Sequence, residues 1–189
     1  MLEFLKHIDE ALFLFLNGMH NNTFDFIMHW ITWQQTWYPF YLLLIIWMIW
    51  RYKQKAIIPI LIIILAITAS DQFTSSFMKP YFERPRPCYD PSIEHLVHVV
   101  DGCGGSFGFA SSHAANAFAV VTLLYLFLRP NTGYTFIIFV WGTLVSYSRI
   151  YVGVHYPGDV IVGALVGYLI GRLLYYFYLK LPSKYLLTG

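Results

Sequence analysis

The chain has 189 residues, 58% of them apolar and only 12% charged, with a formal net charge of +2 and a mean hydropathy of +0.56. Soluble domains carry about 45–50% apolar and about 25% charged residues, so neither a water-soluble globule nor a disordered chain fits this composition. A charge balance this even offers nothing to a nucleic acid. Lipid is the solvent that suits it. The fold class expected over 1–189 is a single integral membrane domain, an all-α helical bundle with five or six transmembrane crossings of about 20 residues each.

Residues 2–17 hold Leu2, Leu5, Ile8, Leu12 and Leu16 at roughly helical spacing. Glu3, Asp9 and Glu10 lie among them. The stretch therefore reads as an interfacial helix or a tilted first span. No small-residue cleavage site follows, so it does not read as a secretory signal. Residues 23–36 are similar, with Trp30, Trp33 and Trp37 as anchors at headgroup level. Secure crossings are expected over 38–50, 56–77, 112–128, 135–147 and 159–178. A polar loop with Pro and Gly punctuation fills 78–109. Arg129, Pro130 and Asn131 are expected to close the third secure crossing.

Basic residues orient the helices. Cytoplasmic loops carry the Lys and Arg excess. Placing Arg51, Lys53 and Lys55 inside also puts Arg129, Arg172, Lys180, Lys184 and the C-terminus on the cytoplasmic side. The opposite face then carries Lys79, Arg84, Arg86 and Arg149. These four break the charge rule, and the loops that hold them also hold histidines.

Three segments on that face carry chemistry. Lys79 and Arg86 lie in Lys-Pro-Tyr-Phe-Glu-Arg-Pro-Arg-Pro; Ser111, Ser112 and His113 open a helix; Arg149, His155 and Asp159 lead into the last one. Lys79, Arg86 and Arg149 are three strong donors, and arginine forks match phosphate oxygens. Ser111 and Ser112 sit where free helix amides attract anions. His113 and His155 can serve as acid, base or nucleophile near neutral pH. Asp159 follows His155 by one helical turn, close enough to orient its imidazole. An anion clamp, an oriented nucleophile and a second titratable group describe phosphoryl transfer, and no cofactor is demanded.

In these residues the sequence resembles the type 2 phosphatidic acid phosphatase superfamily. The pattern Lys-x6-Arg-Pro, Ser-x-His and Ser-Arg-x5-His-x3-Asp occurs in that family's order between Lys79 and Asp159. The resemblance implies that His155 attacks phosphorus, that Asp159 holds its tautomer, and that His113 protonates the leaving oxygen and then activates water. It also implies that Lys79, Arg86, Ser111, the backbone at Ser112, and Arg149 hold the phosphate. One departure is Ser112, where the family's middle motif has glycine. It restricts the backbone and adds a hydroxyl.

Other polar residues stand outside the pattern. Arg84 has the wrong spacing from Lys79 and reads as a headgroup or supporting contact. Asp71, inside a crossing, needs a partner or a water cavity, and reads as a contact between helices or a group that tunes Lys79 or Arg149. Cys88 and Cys103 bracket the outer loop. As a disulfide they would close about 15 residues, worth about 3 kcal/mol by loop entropy. Free thiols, or a metal site with His95 and His98, are the rival readings. His7, His20 and His29 carry no motif.

A site at the membrane surface suits a lipid phosphate substrate, with the bilayer itself as the other partner. Undecaprenyl diphosphate is expected first, in a bacterial inner membrane with the site facing the extracytoplasmic side. Phosphatidylglycerophosphate or phosphatidic acid comes next, then lipid A 1-phosphate. A lipid phosphotransferase or a non-catalytic lipid-phosphate-binding protein are the readings from other classes. Oligomeric state is not legible.

Overall fold

A computed structural model describes residues 2–128 and 132–187. Arg129, Pro130 and Asn131, expected to close one crossing, lie outside the described residues. The chain is helical, with α1 (Leu2–Asn17), α2 (Asn22–Thr32), α3 (Tyr38–Tyr52), α4 (Ile57–Gln72), a short α5 (Lys79–Phe82), α6 (Ser112–Leu128), α7 (Thr132–Tyr151) and α8 (Pro157–Tyr178). Among the described residues there is one β-like contact, an isolated bridge between Pro85 and Phe107.

The five expected crossings correspond to α3, α4 with its extension, α6, α7 and α8. Among the described residues two helical stretches are long and apolar enough to cross a bilayer, Gln34–Phe82 and Pro157–Tyr178. The first is 49 residues long, and it is not one rod. The chain reverses at Lys53, whose φ is 51°, and Tyr41, Leu44 and Met48 of α3 then share a crevice with Ile60, Ile63 and Ile67 of α4.

The central helix is α6. Ala114, Ala115, Ala119, Val120, Leu123 and Leu124 are all buried. A helix apolar on every side belongs in a core or a bilayer. Its closest neighbour is α8, and the reason is side-chain size. Gly163, Gly167 and Gly171 recur every four residues along α8, which places them on one face. A Cβ added at Gly167 would overlap the Ala115 carbonyl, and one at Gly163 the Ser111 carbonyl. Small residues at this spacing let two backbones meet, the usual packing of helices in lipid.

The bundle has two ends. Met48, Ala56, Phe127 and Tyr178 cluster at one, beside the Lys53 reversal. The other end gathers the end of α5, the start of α6, the end of α7 and the start of α8. Across it lies the second half of α1. Asp9 there accepts a hydrogen bond from the Gly158 amide at the start of α8 (2.7 Å). Asn17 donates to the Tyr151 carbonyl at the end of α7 (2.8 Å). This half of α1 crosses the end of the bundle instead of running beside it.

Outward faces remain apolar. Leu42, Leu43, Ile46, Leu61, Leu65, Ile137, Leu165 and Leu169 are exposed along α3, α4, α7 and α8. A monomer in water rarely shows such a continuous apolar surface.

Candidate active site

Lys79 reaches the site through a distortion of α4. Residues Phe73–Met78 form a π-helical turn, which rotates the residues after it relative to a regular helix. The Thr74 hydroxyl divides its bonding between the Ser70 carbonyl (2.8 Å) and Ser112 Oγ (2.9 Å). Lys79 Nζ donates to the same Ser112 Oγ at 2.9 Å. Ser112, where the family's motif has glycine, therefore holds the ammonium group with its hydroxyl.

Arg86 is held by its own loop. Its amide donates to the Ser106 carbonyl (3.1 Å), and its guanidinium donates to the carbonyls of Cys103 (2.8 Å) and Phe107 (3.3 Å). Cys88 and Cys103 pair as a disulfide with Cα atoms 6.1 Å apart, so the staple fixes the carbonyl that aims Arg86. The pairing also removes the thiolates that a metal site with His95 and His98 would have needed. Among the described residues no group of three or more His, Cys, Asp or Glu side chains is placed to hold a metal ion.

Arg149 lies in the last turn of α7, and its Nη1 donates to Thr32 Oγ1 of α2. The chain then turns sharply at Gly153, with φ of +83°, where a Cβ would strike the His98 carbonyl. The turn lets the amides of Val154 and His155 both donate to the Arg149 carbonyl at 3.2 Å. His155 is 1% exposed. Its Nδ1 lies 3.5 Å from Asp159 Oδ2, without hydrogen-bond alignment. Nε2 is thus the ring nitrogen left for the cavity.

Asp159 is fully enclosed and held on both oxygens. Oδ2 accepts from the Tyr156 amide at 3.0 Å, and Oδ1 from Arg84 Nη1 at 2.8 Å. The second arm of the same guanidinium donates to Asp9 Oδ2 at 2.8 Å, and its plane lies 4.0 Å over the Tyr156 ring. Arg84 is therefore a clasp between α1 and the start of α8. Of the two sequence readings of Arg84, a headgroup or a supporting contact, the structure shows the supporting one, but the sequence did not point to Asp9. Arg84-Pro85 repeats Arg86-Pro87, but its partner Asp9 is 75 residues upstream and carries no motif.

Lys79, Arg86, Ser112, His113, Arg149 and His155 all line one cavity of about 250 Å³. Asp71 also lines it. Ser111 does not. It is buried behind the wall, its amide donates to the Asp159 carbonyl (3.0 Å), and its hydroxyl has no partner among the described residues. The His155 imidazole is held well below its ordinary pKa of 6.5, first by burial and then by the charges of Arg149, Arg86 and Lys79. The site therefore pairs a neutral imidazole with three cations, an arrangement that attracts an anion and leaves a free nucleophile beside it.

Helical bundle and site together define a membrane phosphatase. The chain belongs to the PAP2 superfamily, whose model matches residues 60–183, and it is a hydrolase of lipid phosphate esters. It is 38% identical to a lipid A 4'-phosphatase of Bacteroides thetaiotaomicron, over 97% of this chain and 83% of that protein. An undecaprenyl-diphosphatase, BcrC, of Bacillus subtilis is 37% identical over 51% of this chain and 46% of its own length. The crystal structure of Aquifex aeolicus LpxE superposes with a TM-score of 0.68 at 28% identity, covering 88% of this chain and 93% of that one.

Proposed function

We propose that this protein removes a phosphate monoester from a lipid A-type glycolipid through a phosphohistidine at His155. The observation that carries the chemistry is the convergence of His155, backed by Asp159, with Lys79, Arg86, Arg149 and His113 on one cavity. Similarity along almost the whole chain to a lipid A 4'-phosphatase favours this substrate over undecaprenyl diphosphate, which the sequence alone ranks first. Undecaprenyl diphosphate becomes the second reading, supported by a match to half of the chain.

In the first step His155 Nε2 bonds to phosphorus while the bond from phosphorus to the sugar oxygen breaks. His113, charged once the bound phosphate offsets the cations around it, gives that oxygen its proton. The proton on His155 Nδ1 faces Asp159, whose charge offsets the imidazolium that forms. In the second step His113 takes a proton from water, and the water oxygen displaces Nε2 from phosphorus. Inorganic phosphate leaves and both histidines return to their starting states. Lys79, Arg86, Arg149 and the Ser112 region neutralise the oxygens as charge builds on them.

In this reading the bundle crosses the inner membrane of a bacterium five times, through α3, α4 with α5, α6, α7 and α8. The second half of α1 lies along the interface. The site faces the extracytoplasmic side, and the Lys53 reversal and the C-terminus face the cytoplasm.

The test is phosphate release in detergent from lipid A, undecaprenyl diphosphate, phosphatidylglycerophosphate and phosphatidic acid, with His155→Ala alongside. Release should be fastest from lipid A and absent in the variant. Comparable release by the variant would remove His155 as nucleophile. A stronger preference for undecaprenyl diphosphate would restore the order read from the sequence.

A further inference from the structure

A second hollow, of about 560 Å³, opens outside the reacting cavity. The two spaces share Thr32, Gln34, Arg86, His113 and Arg149, so a phosphate resting on the two arginines touches both. One wall of this vestibule is the end of α2 and the turn after it, with His29, Trp33, Gln34 and Gln35. The other is Asp101–Gly104, in the loop held by the disulfide. His29 Nδ1 meets Asp101 Oδ1 at 2.5 Å and joins the walls. Trp33 stacks against His29 with centroids 6.1 Å apart, yet 43% of Trp33 stays exposed. Neither Gln34 nor Gln35 has a side-chain hydrogen-bond partner among the described residues. At Gly102 an added Cβ would meet nothing within 4 Å, so bare backbone faces the space.

A flat indole, two open amides, an imidazole–carboxylate pair and uncovered backbone form a distinct chemistry. It does not suit an acyl chain, which wants an unbroken apolar wall. A second phosphate would sit beside the Asp101 carboxylate, and the only Lys or Arg side chains among the residues lining the hollow are the two arginines of the reacting site. A hydroxylated ring fits. Its C–H face can lie on an aromatic ring while its hydroxyls bond to amides and carboxylate.

We propose that the vestibule binds the sugar ring that carries the scissile phosphate, and that it selects sugar-phosphate lipids over glycerol-phosphate lipids. The proposal rests on the phosphatase reading above and adds the group that is recognised.

The experiment compares kcat/KM for lipid A and for phosphatidic acid in the same micelles, in wild type and in Trp33→Ala, Gln35→Ala and Asp101→Asn. The ratio favouring lipid A should fall about tenfold in the variants, the scale expected when a hydroxyl loses its partner. An unchanged ratio would overturn the proposal. So would an equal loss on both lipids, which would mark these residues as supports for the catalytic loop. A second measurement holds even if lipid A is not turned over. Soluble glucosamine 1-phosphate should inhibit hydrolysis of the best panel lipid more strongly than glycerol 3-phosphate, and the variants should lose that preference. Equal inhibition of wild type by the two compounds would also overturn the proposal. Failure of the underlying reading shows differently, as the absence of His155-dependent release from every lipid, and it would overturn both.

Discussion

In the proposed mechanism His155 attacks phosphorus as a neutral imidazole, and its surroundings disfavour the charged form. Burial removes the water that would stabilise the imidazolium, and three nearby cations oppose another positive charge. A histidine NMR titration, with His155→Gln to assign the signal, should show this ring uncharged at pH 6.5 and protonating only below it. Titration at or above 6.5 would contradict the electrostatics. Arg84 makes the second argument at this scale. It pairs with a fully buried Asp159 at 2.8 Å, and removing one partner of such a pair leaves an uncompensated charge, at a cost on the order of 3 kcal/mol. Arg84→Ala should therefore lower the melting temperature and slow turnover together, and Arg84→Lys should recover part of both. Unchanged turnover in Arg84→Ala would show that Asp159 needs no clasp. The motif residues that line the cavity were legible from type and spacing, Ser111 excepted. The pairing of Arg84 with Asp9 was not, because the contact that joins them, across 75 residues, exists only in the fold.

At the scale of elements, the apolar runs located α3, α4, α6, α7 and α8 to within a few residues. Regular periodicity could not foresee the π-turn at Phe73–Met78. That turn depends on where Thr74 and Lys79 meet Ser112, a contact made by another helix. The α6–α8 seam is the element on which the site depends most, since it carries His113 on one side and Asp159 on the other. Gly167 faces the Ala115 backbone with no room for a side chain. Overpacking of this kind costs about 1–3 kcal/mol or more, so Gly167→Leu should lower the melting temperature in detergent and reduce activity with it. A variant as stable as wild type would show that the seam can open without penalty.

Over the whole molecule, the apolar faces point outward and the polar chemistry collects at one end, as a bilayer solvent requires. The Lys53 reversal and the end of α8 lie at the opposite end from the site. If the charge rule sets the orientation, a fluorescent protein fused to the C-terminus should fold and fluoresce in the cytoplasm, and a phosphatase reporter fused there should be silent. The reverse result would put the site on the cytoplasmic face. By itself the sequence determined the solvent, the helical class and most of the residues that gather at the cavity, because composition, apolar run length and motif spacing are local properties of a chain. Only the tertiary structure decided that Ser112 holds Lys79, that Ser111 stands behind the cavity wall, that α1 brings Asp9 to Arg84, and that a polar vestibule adjoins the site. Each of these depends on groups far apart in the chain meeting in space, and no spacing rule encodes such a meeting.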